Sequence, residues 1–262
     1  MGNIMESKVK LTILGSGTCV PSLTRSSCSG LVEFGDNKIL LDMGAGTMRR
    51  LLEAGVSPHE ITMIFFSHLH PDHIAELTPF LFSSKYGNQG KVRKPFIIVA
   101  GRGFQWFYDN LQKAFGHWIV LDPGIMTFKE LDNFRPDKID MNGFSLSSCP
   151  VDHSSESVAL RINMPAGKSL VYSGDTDYCD DLIELADGTD ILLCECAMPN
   201  EMKTSGHLTP SEAGNIARKS RVKHLVLTHF YPECEEVDII AQCKKNYDGK
   251  ITEAVDLMKI NI

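Results

Sequence analysis

The chain has 262 residues, 43% of them apolar and 23% charged, with a formal net charge of −7. That length and apolar content allow a large globular unit with a substantial core, and the negative balance excludes a surface that attracts nucleic acid as a whole. An RNA ligand would need a local basic patch. Lys91, Arg93 and Lys94 are one candidate and Arg218, Lys219, Arg221 and Lys223 another, although solvated surface is the simpler reading of both.

Residues 1–10 carry no apolar signal-peptide core, and Glu6 stands where a myristoylation pattern starting at Gly2 wants Ser or Thr. Short apolar runs then recur at 9–14, 38–42, 63–67, 96–100, 145–149, 158–162, 169–173, 191–195 and 225–228. Several are apolar throughout, which predicts strands buried on both faces. Between them, Met48, Leu51, Leu52 and Gly55 predict a helix closed by the glycine, and 104–115 predicts a second. Thr209, Pro210 and Glu212 predict an N-cap and first turn for a third, running to Lys219, and 235–245 predicts a fourth. No linker or repeat divides the chain, so 1–262 reads as a single α/β domain. Gly15 and Gly17 lack the remaining glycines or the lysine of a nucleotide loop. Eight cysteines without a CxxC pair, and no long apolar span, suit a cytoplasmic protein without a membrane segment.

The chemistry concentrates in Ser67-His68-Leu69-His70-Pro71-Asp72-His73, where four coordinating side chains follow the end of a predicted strand. Imidazole nitrogen and carboxylate oxygen are the donors zinc favours, and without a cation so dense a set would go unsatisfied. His68 and His70 can approach one metal, while Asp72 and His73, beyond the turn at Pro71, can face a second. Three further strand ends each deliver one candidate: His153, Asp175 and His229. Functional side chains gather where loops leave a rigid sheet, so the distribution is coherent.

HxHxDH at 68–73, followed by single ligands at His153, Asp175 and His229, resembles the metallo-β-lactamase superfamily over most of the chain. The resemblance implies an αββα four-layer sandwich with two metals at one edge of the sheets. It implies that His68, His70 and His153 hold one metal, that Asp72, His73 and His229 hold the other, and that Asp175 bridges both. The expected ions are two Zn2+, with Mn2+ or Fe2+ as alternatives. True β-lactamases often carry a cysteine where Asp175 stands. Di-iron relatives carry a glutamate in place of His70. Both departures favour zinc hydrolysis of something other than a β-lactam.

Leu14-Gly15-Ser16-Gly17-Thr18, Leu41-Asp42-Met43-Gly44-Ala45-Gly46-Thr47 and His229-Phe230 are similar to motifs of the ribonuclease Z-like branch. Glu195 and His207 match that branch's proton-transfer pair, and placement before a helix N-terminus would hold the His207 pKa near neutrality. Ribonuclease Z itself inserts a transfer-RNA-binding arm between the motifs matching His153 and Asp175. Here only 21 residues separate them. The expectation is therefore a zinc phosphodiesterase in which a metal-bridging hydroxide attacks a phosphodiester, with Asp72, His207 and Glu195 as catalytic residues. The substrate would be a small phosphodiester or RNA, and the resemblance implies a homodimer. The rivals are a transfer-RNA 3′ endonuclease, a lactone or thioester hydrolase and a non-catalytic metal-binding module. Asp42 reads either as an acceptor for a ligand imidazole or as a turn former. Phe80, Phe82 and Tyr86 read as helix packing or pocket lining, and Trp106 and Trp118 as core or oligomer contacts.

Overall fold

The computed structural model describes residues 9–87 and 93–262, so Gly2, Glu6 and Lys91 lie outside the described residues. Its strands are β1 (Lys10–Gly15), β2 (Ser29–Phe34), β3 (Asn37–Leu41), β4 (Met63–Phe66), β5 (Phe96–Gly101), β6 (Met126–Leu131) and β7 (Asp137–Met141), then β8 (Phe144–Pro150), β9 (Val158–Asn163), β10 (Ser169–Tyr172), β11 (Ile191–Glu195), β12 (His224–Thr228), β13 (Lys250–Glu253) and β14 (Lys259–Asn261). They form two seven-stranded sheets, in the order β14-β1-β2-β3-β4-β5-β6 and β13-β12-β11-β10-β9-β8-β7. The helices are α1 (Thr47–Glu53), α2 (Pro71–Ile74), α3 (Leu77–Tyr86), α4 (Phe104–Phe115), α5 (Asp180–Leu185), α6 (Pro210–Lys219) and α7 (Ile239–Lys244).

The period-2 alternation of β4 shows how the layers arise. Met63 and Phe65 point into the core between the sheets, where they join Leu41, Val99, Leu170, Leu193 and Val226. Ile64 and Phe66 point outward, into a second core with Leu51 of α1, Leu77 and Phe80 of α3 and Phe104 of α4. On the far side, Leu182 of α5, Ala213 and Ile216 of α6 and Cys243 of α7 extend the inter-sheet core over the second sheet. The result is the expected αββα sandwich. In the first sheet β3, β4, β5 and β6 run parallel, and in the second so do β10, β11, β12 and β13. The carboxyl ends of β4, β8, β10 and β12 deliver the loops that carry the candidate ligands, since β8 and β10 both run antiparallel to β9. One backbone bond, Val158 N–H to Ser67 O at 2.9 Å, ties the two sheets together at that edge.

Helices at 104–115 and 210–219 form as expected, the latter with Glu212 accepting from the Thr209 N–H at 2.9 Å. The expected helix over 235–245 is two pieces. A 3-10 turn spans Pro232–Glu236, and α7 starts afresh where Asp238 accepts from the Ala241 N–H. Five strands were not expected. Among them, β2 starts with Ser-Gly and carries Glu33, while β13 and β14 are short and lysine-bearing, as exposed edges are.

Arg93 is not part of a basic patch. It is 3% exposed, lies over the Phe80 and Phe96 rings and donates to the Pro58 and Ile61 carbonyls. In the second patch Arg221 and Lys223 are paired with Asp187 and Asp190. Trp106 and Trp118 do not fill the core; they are 71% and 51% exposed. Phe80 is buried, whereas Phe82, Tyr86 and Trp118 form an exposed aromatic cluster on the helical face.

Candidate metal centre

The loop after β4 is shaped from behind by the segment after β3. The Met43 N–H donates to the His73 carbonyl at 2.6 Å, and the Glu76 N–H donates to the Met43 carbonyl at 3.1 Å. A Cβ at Gly44 would lie 2.1 Å from the Asp72 carbonyl oxygen, so only glycine allows this approach. Pro71 opens α2 directly after His70, turning Asp72 and His73 onto the first helical turn. From the second sheet, Gly174 takes a left-handed φ of 58° with its α-carbon face against Ser67, and this brings Asp175 under the loop.

All seven expected ligand residues converge. One donor atom each from His68, His70, His153 and Asp175 lie within 4.8 Å of one another, as do those from Asp72, His73 and His229. Asp175 faces both groups. Its Oδ2 lies 3.7 Å from His68 Nε2 and 3.8 Å from His153 Nε2, while its Oδ1 lies 3.3 Å from His73 Nε2 and 3.4 Å from His229 Nε2. Asp72 Oδ2 is 3.7 Å from His229 Nε2 and 3.9 Å from His73 Nε2.

The hydrogen bonds behind the imidazoles decide which nitrogens face inward. Asp42, fully buried with φ 58°, accepts from His73 Nδ1 at 2.7 Å, the Ser67 N–H at 2.7 Å, Ser67 Oγ at 2.8 Å and the Tyr172 hydroxyl at 2.6 Å. Ser67 Oγ spends its proton on Asp42 and so accepts from His68 Nδ1 at 3.0 Å. His153 Nδ1 donates to the Gly206 carbonyl at 2.8 Å. These bonds leave lone pairs on the Nε2 atoms of His68, His73 and His153, all directed at a buried carboxylate. Asp42 is thus the acceptor behind a candidate ligand, and Ser67 and Tyr172 are partners that sequence reading gave no role.

A cluster of acceptors without donors is satisfied only by positive charge. His68 Nε2 and Asp175 Oδ1 are buried with no hydrogen-bond partner, and the paired nitrogens His73 Nε2 and His229 Nε2 are 3.3 Å apart. Burial drives the His68 pKa down to about 2, and burial also lowers that of His70, so both present neutral nitrogen. Burial opposes ionisation of Asp72, but His229 and His73 outweigh it and hold the carboxyl at about 2. Against burial, Asp175 and Asp42 raise the His73 pKa, the mark of a point where two carboxylates call for a cation. The donor set fits divalent metal binding around Asp175.

Beside the ligands, Glu195 at the end of β11 is 1% exposed and accepts from four donors: the backbone N–H groups of Thr176, Ala197 and Leu208, and His207 Nδ1 at 3.0 Å. His207 Nδ1 lies 3.9 Å from Asp175 Oδ2, and the ring stacks on His229 at 5.6 Å. Its pKa answers to burial and to Glu195. Burial pulls it down, but the Glu195 carboxylate wins and raises it. Lys203 fastens the loop before His207. Its ammonium reaches Asp177 Oδ1 at 2.6 Å, the His207 carbonyl at 2.5 Å and Glu212 Oε2 at 2.8 Å. Nothing in the spacing of Lys203, Asp177 and Glu212 announces this contact.

Two seven-stranded sheets between helical layers, with His/Asp clusters at their common edge, define the metallo-β-lactamase fold with a candidate metal centre. The metallo-β-lactamase fold protein YhfI of Bacillus subtilis superposes with a TM-score of 0.83 at 21% identity, over 97% of this chain and 100% of that one. A diphosphatase of the PhnP family superposes at 0.73 and 21% identity, over 97% and 98%. A ribonuclease Z of Mycobacterium bovis (strain BCG) is 28% identical, over 97% of this chain and 98% of that protein. The chain belongs to the family described as anti-Pycsar protein Apyc1, whose model matches residues 9–247.

Proposed function

We propose that the chain is a two-metal, zinc-dependent phosphodiesterase acting on small phosphodiesters. The observation that carries this reading is a carboxylate, Asp175, facing two ligand groups, with the His207–Glu195 pair beside it. His68, His70 and His153 would hold one ion and Asp72, His73 and His229 the other, with Asp175 shared between them. Bound there, a divalent pair supplies Lewis acidity, lowering the pKa of water and polarising a phosphoryl oxygen. Asp72, on the solvent side of its group, orients the attacking water. His207 carries the proton for the leaving alkoxide on Nε2, because Glu195 fixes Nδ1. A purely structural metal site closes with four ligands and needs no such proton donor.

The short stretch between His153 and Asp175 favours a small substrate. It holds β9 and β10 joined by one short turn at Pro165–Gly167, which leaves no length there for an RNA-gripping arm. The likeness to ribonuclease Z keeps transfer-RNA 3′ cleavage as the second reading. The family name adds action against Pycsar as the expected setting of this chemistry. We further read residues 1–262 as one catalytic domain, since β14 closes the first sheet beside β1. The free cysteines support a cytoplasmic location, and among the described residues no helix is long and apolar enough to cross a membrane. The exposed Phe82–Tyr86–Trp118 cluster supports the homodimer that the resemblance implies.

The test is a screen of zinc-loaded protein against cyclic nucleotides, bis-(p-nitrophenyl) phosphate, lactones, thioesters and precursor transfer RNA. Turnover of the small diesters well above all others is the expected result. Preferential cleavage of precursor RNA would move the assignment to the second reading.

A further inference from the structure

Tyr231 has no part in either ligand group, yet it forms a wall of the centre. Its backbone is held on both sides, by its N–H donating to the Ala197 carbonyl at 3.1 Å and by the Cys234 N–H donating to its own carbonyl at 3.0 Å. Its ring meets His207 and His229 edge-on, with both centroid distances 6.3 Å. The two imidazoles stack on each other, so the phenol ring fixes one side of the pair that holds the proton donor and a candidate ligand. Packing accounts for the ring. It does not account for the hydroxyl.

That hydroxyl lies 3.6 Å from the exposed Cys19 thiol. A thiol is a weak hydrogen-bond partner, and the ring is only partly buried. An anionic oxygen would displace the thiol from the O–H readily, because charge-assisted bonds are about twice as strong as neutral ones. A phenol keeps its proton at neutral pH, so the group is a hydrogen-bond donor to such an oxygen.

We propose that Tyr231 is a substrate-binding residue whose hydroxyl donates to an anionic oxygen of the phosphoryl group beside His207. This assignment rests on the phosphodiesterase reading for its substrate class. On binding, the ligand oxygen takes the place of the Cys19 contact.

The experiment uses zinc-loaded protein with inorganic phosphate as the probe. Calorimetry should show phosphate binding to wild type and at least about tenfold weaker binding to Tyr231→Phe, at equal zinc content. Phenylalanine keeps the ring against His207 and His229, so folding and packing are retained. Phosphate should also slow iodoacetamide alkylation of Cys19 in wild type and do so far less in the variant. For a small diester, Tyr231→Phe should lower kcat/KM by about 10–100-fold. Phosphate affinity and Cys19 protection within twofold of wild type would overturn the assignment, as would a wild type that binds no phosphate. A wild type that binds phosphate through Tyr231 but cleaves no diester would instead sink the phosphodiesterase reading, so the two fail separately.

Discussion

Asp42 Oδ2 lies 2.7 Å from His73 Nδ1, and the same carboxylate is closed in by Ser67 and Tyr172. The bond fixes the His73 tautomer and aims Nε2 at the centre. Acceptors behind a ligand imidazole commonly contribute 10–100-fold in metal affinity. Asp42→Asn should therefore weaken zinc binding by about 10–100-fold while the protein stays folded, as a competitive chelator titration would measure. Affinity equal to wild type would mean that His73 needs no such partner.

Glu195 governs the proton on His207. The His207 pKa is raised by the carboxylate against the effect of burial, so the donating form survives to higher pH than in an unperturbed histidine. Proton-donor activity should be present below that raised pKa and fall as pH rises through it. Glu195→Gln should shift the alkaline limb of the kcat/KM profile to lower pH and reduce kcat by about 100-fold, with zinc content unchanged. An unmoved limb would assign it to another group.

Lys203 holds the His207 loop from outside. Lys203→Met removes the contacts to Asp177, Glu212 and the His207 carbonyl at once. The expected outcome is a kcat lowered by about tenfold with KM and metal content near wild type, since misplacement of a proton donor is felt in the reacting complex. Loss of zinc in this variant would show that the loop supports the ligand His153 more than His207.

His224 at the start of β12 is buried, with Nε2 2.8 Å from Thr252 Oγ1. Burial, helped by Lys250, lowers its pKa from 6.5 to about 4. Between those values the unfolded chain binds a proton that the native chain does not, so stability falls as pH drops through this window. Melting curves of metal-free wild type and His224→Asn from pH 7 to pH 4.5 should converge, wild type losing about 2–4 °C relative to the variant. Parallel curves would contradict the shift.

The site was more legible in the sequence than its surroundings. His68 to His73 announce themselves because four donors share one loop, and His153, Asp175 and His229 because each follows an apolar strand. What supports them was hidden. Ser67 and Tyr172 read as ordinary strand-end residues, and their role appears only when β4 and β10 meet Asp42 across the two sheets. Lys203 is 26 residues from Asp177, a separation without any periodic signature. Arg93 misled as a basic-patch residue, since its stacking between Phe80 and Phe96 depends on tertiary packing. Strand β2 escaped because Ser29, Gly30 and Glu33 interrupt its apolar run, and β13 and β14 because they are short, polar edge strands.

Metal stoichiometry tests the central claim most directly. Metal-free protein titrated with Zn2+ and analysed by plasma mass spectrometry should take up two equivalents per chain. Asp175→Ala should lose both most of the metal and the hydrolysis of bis-(p-nitrophenyl) phosphate. A folded Asp175→Ala variant that is poor in metal yet fully active would contradict the account.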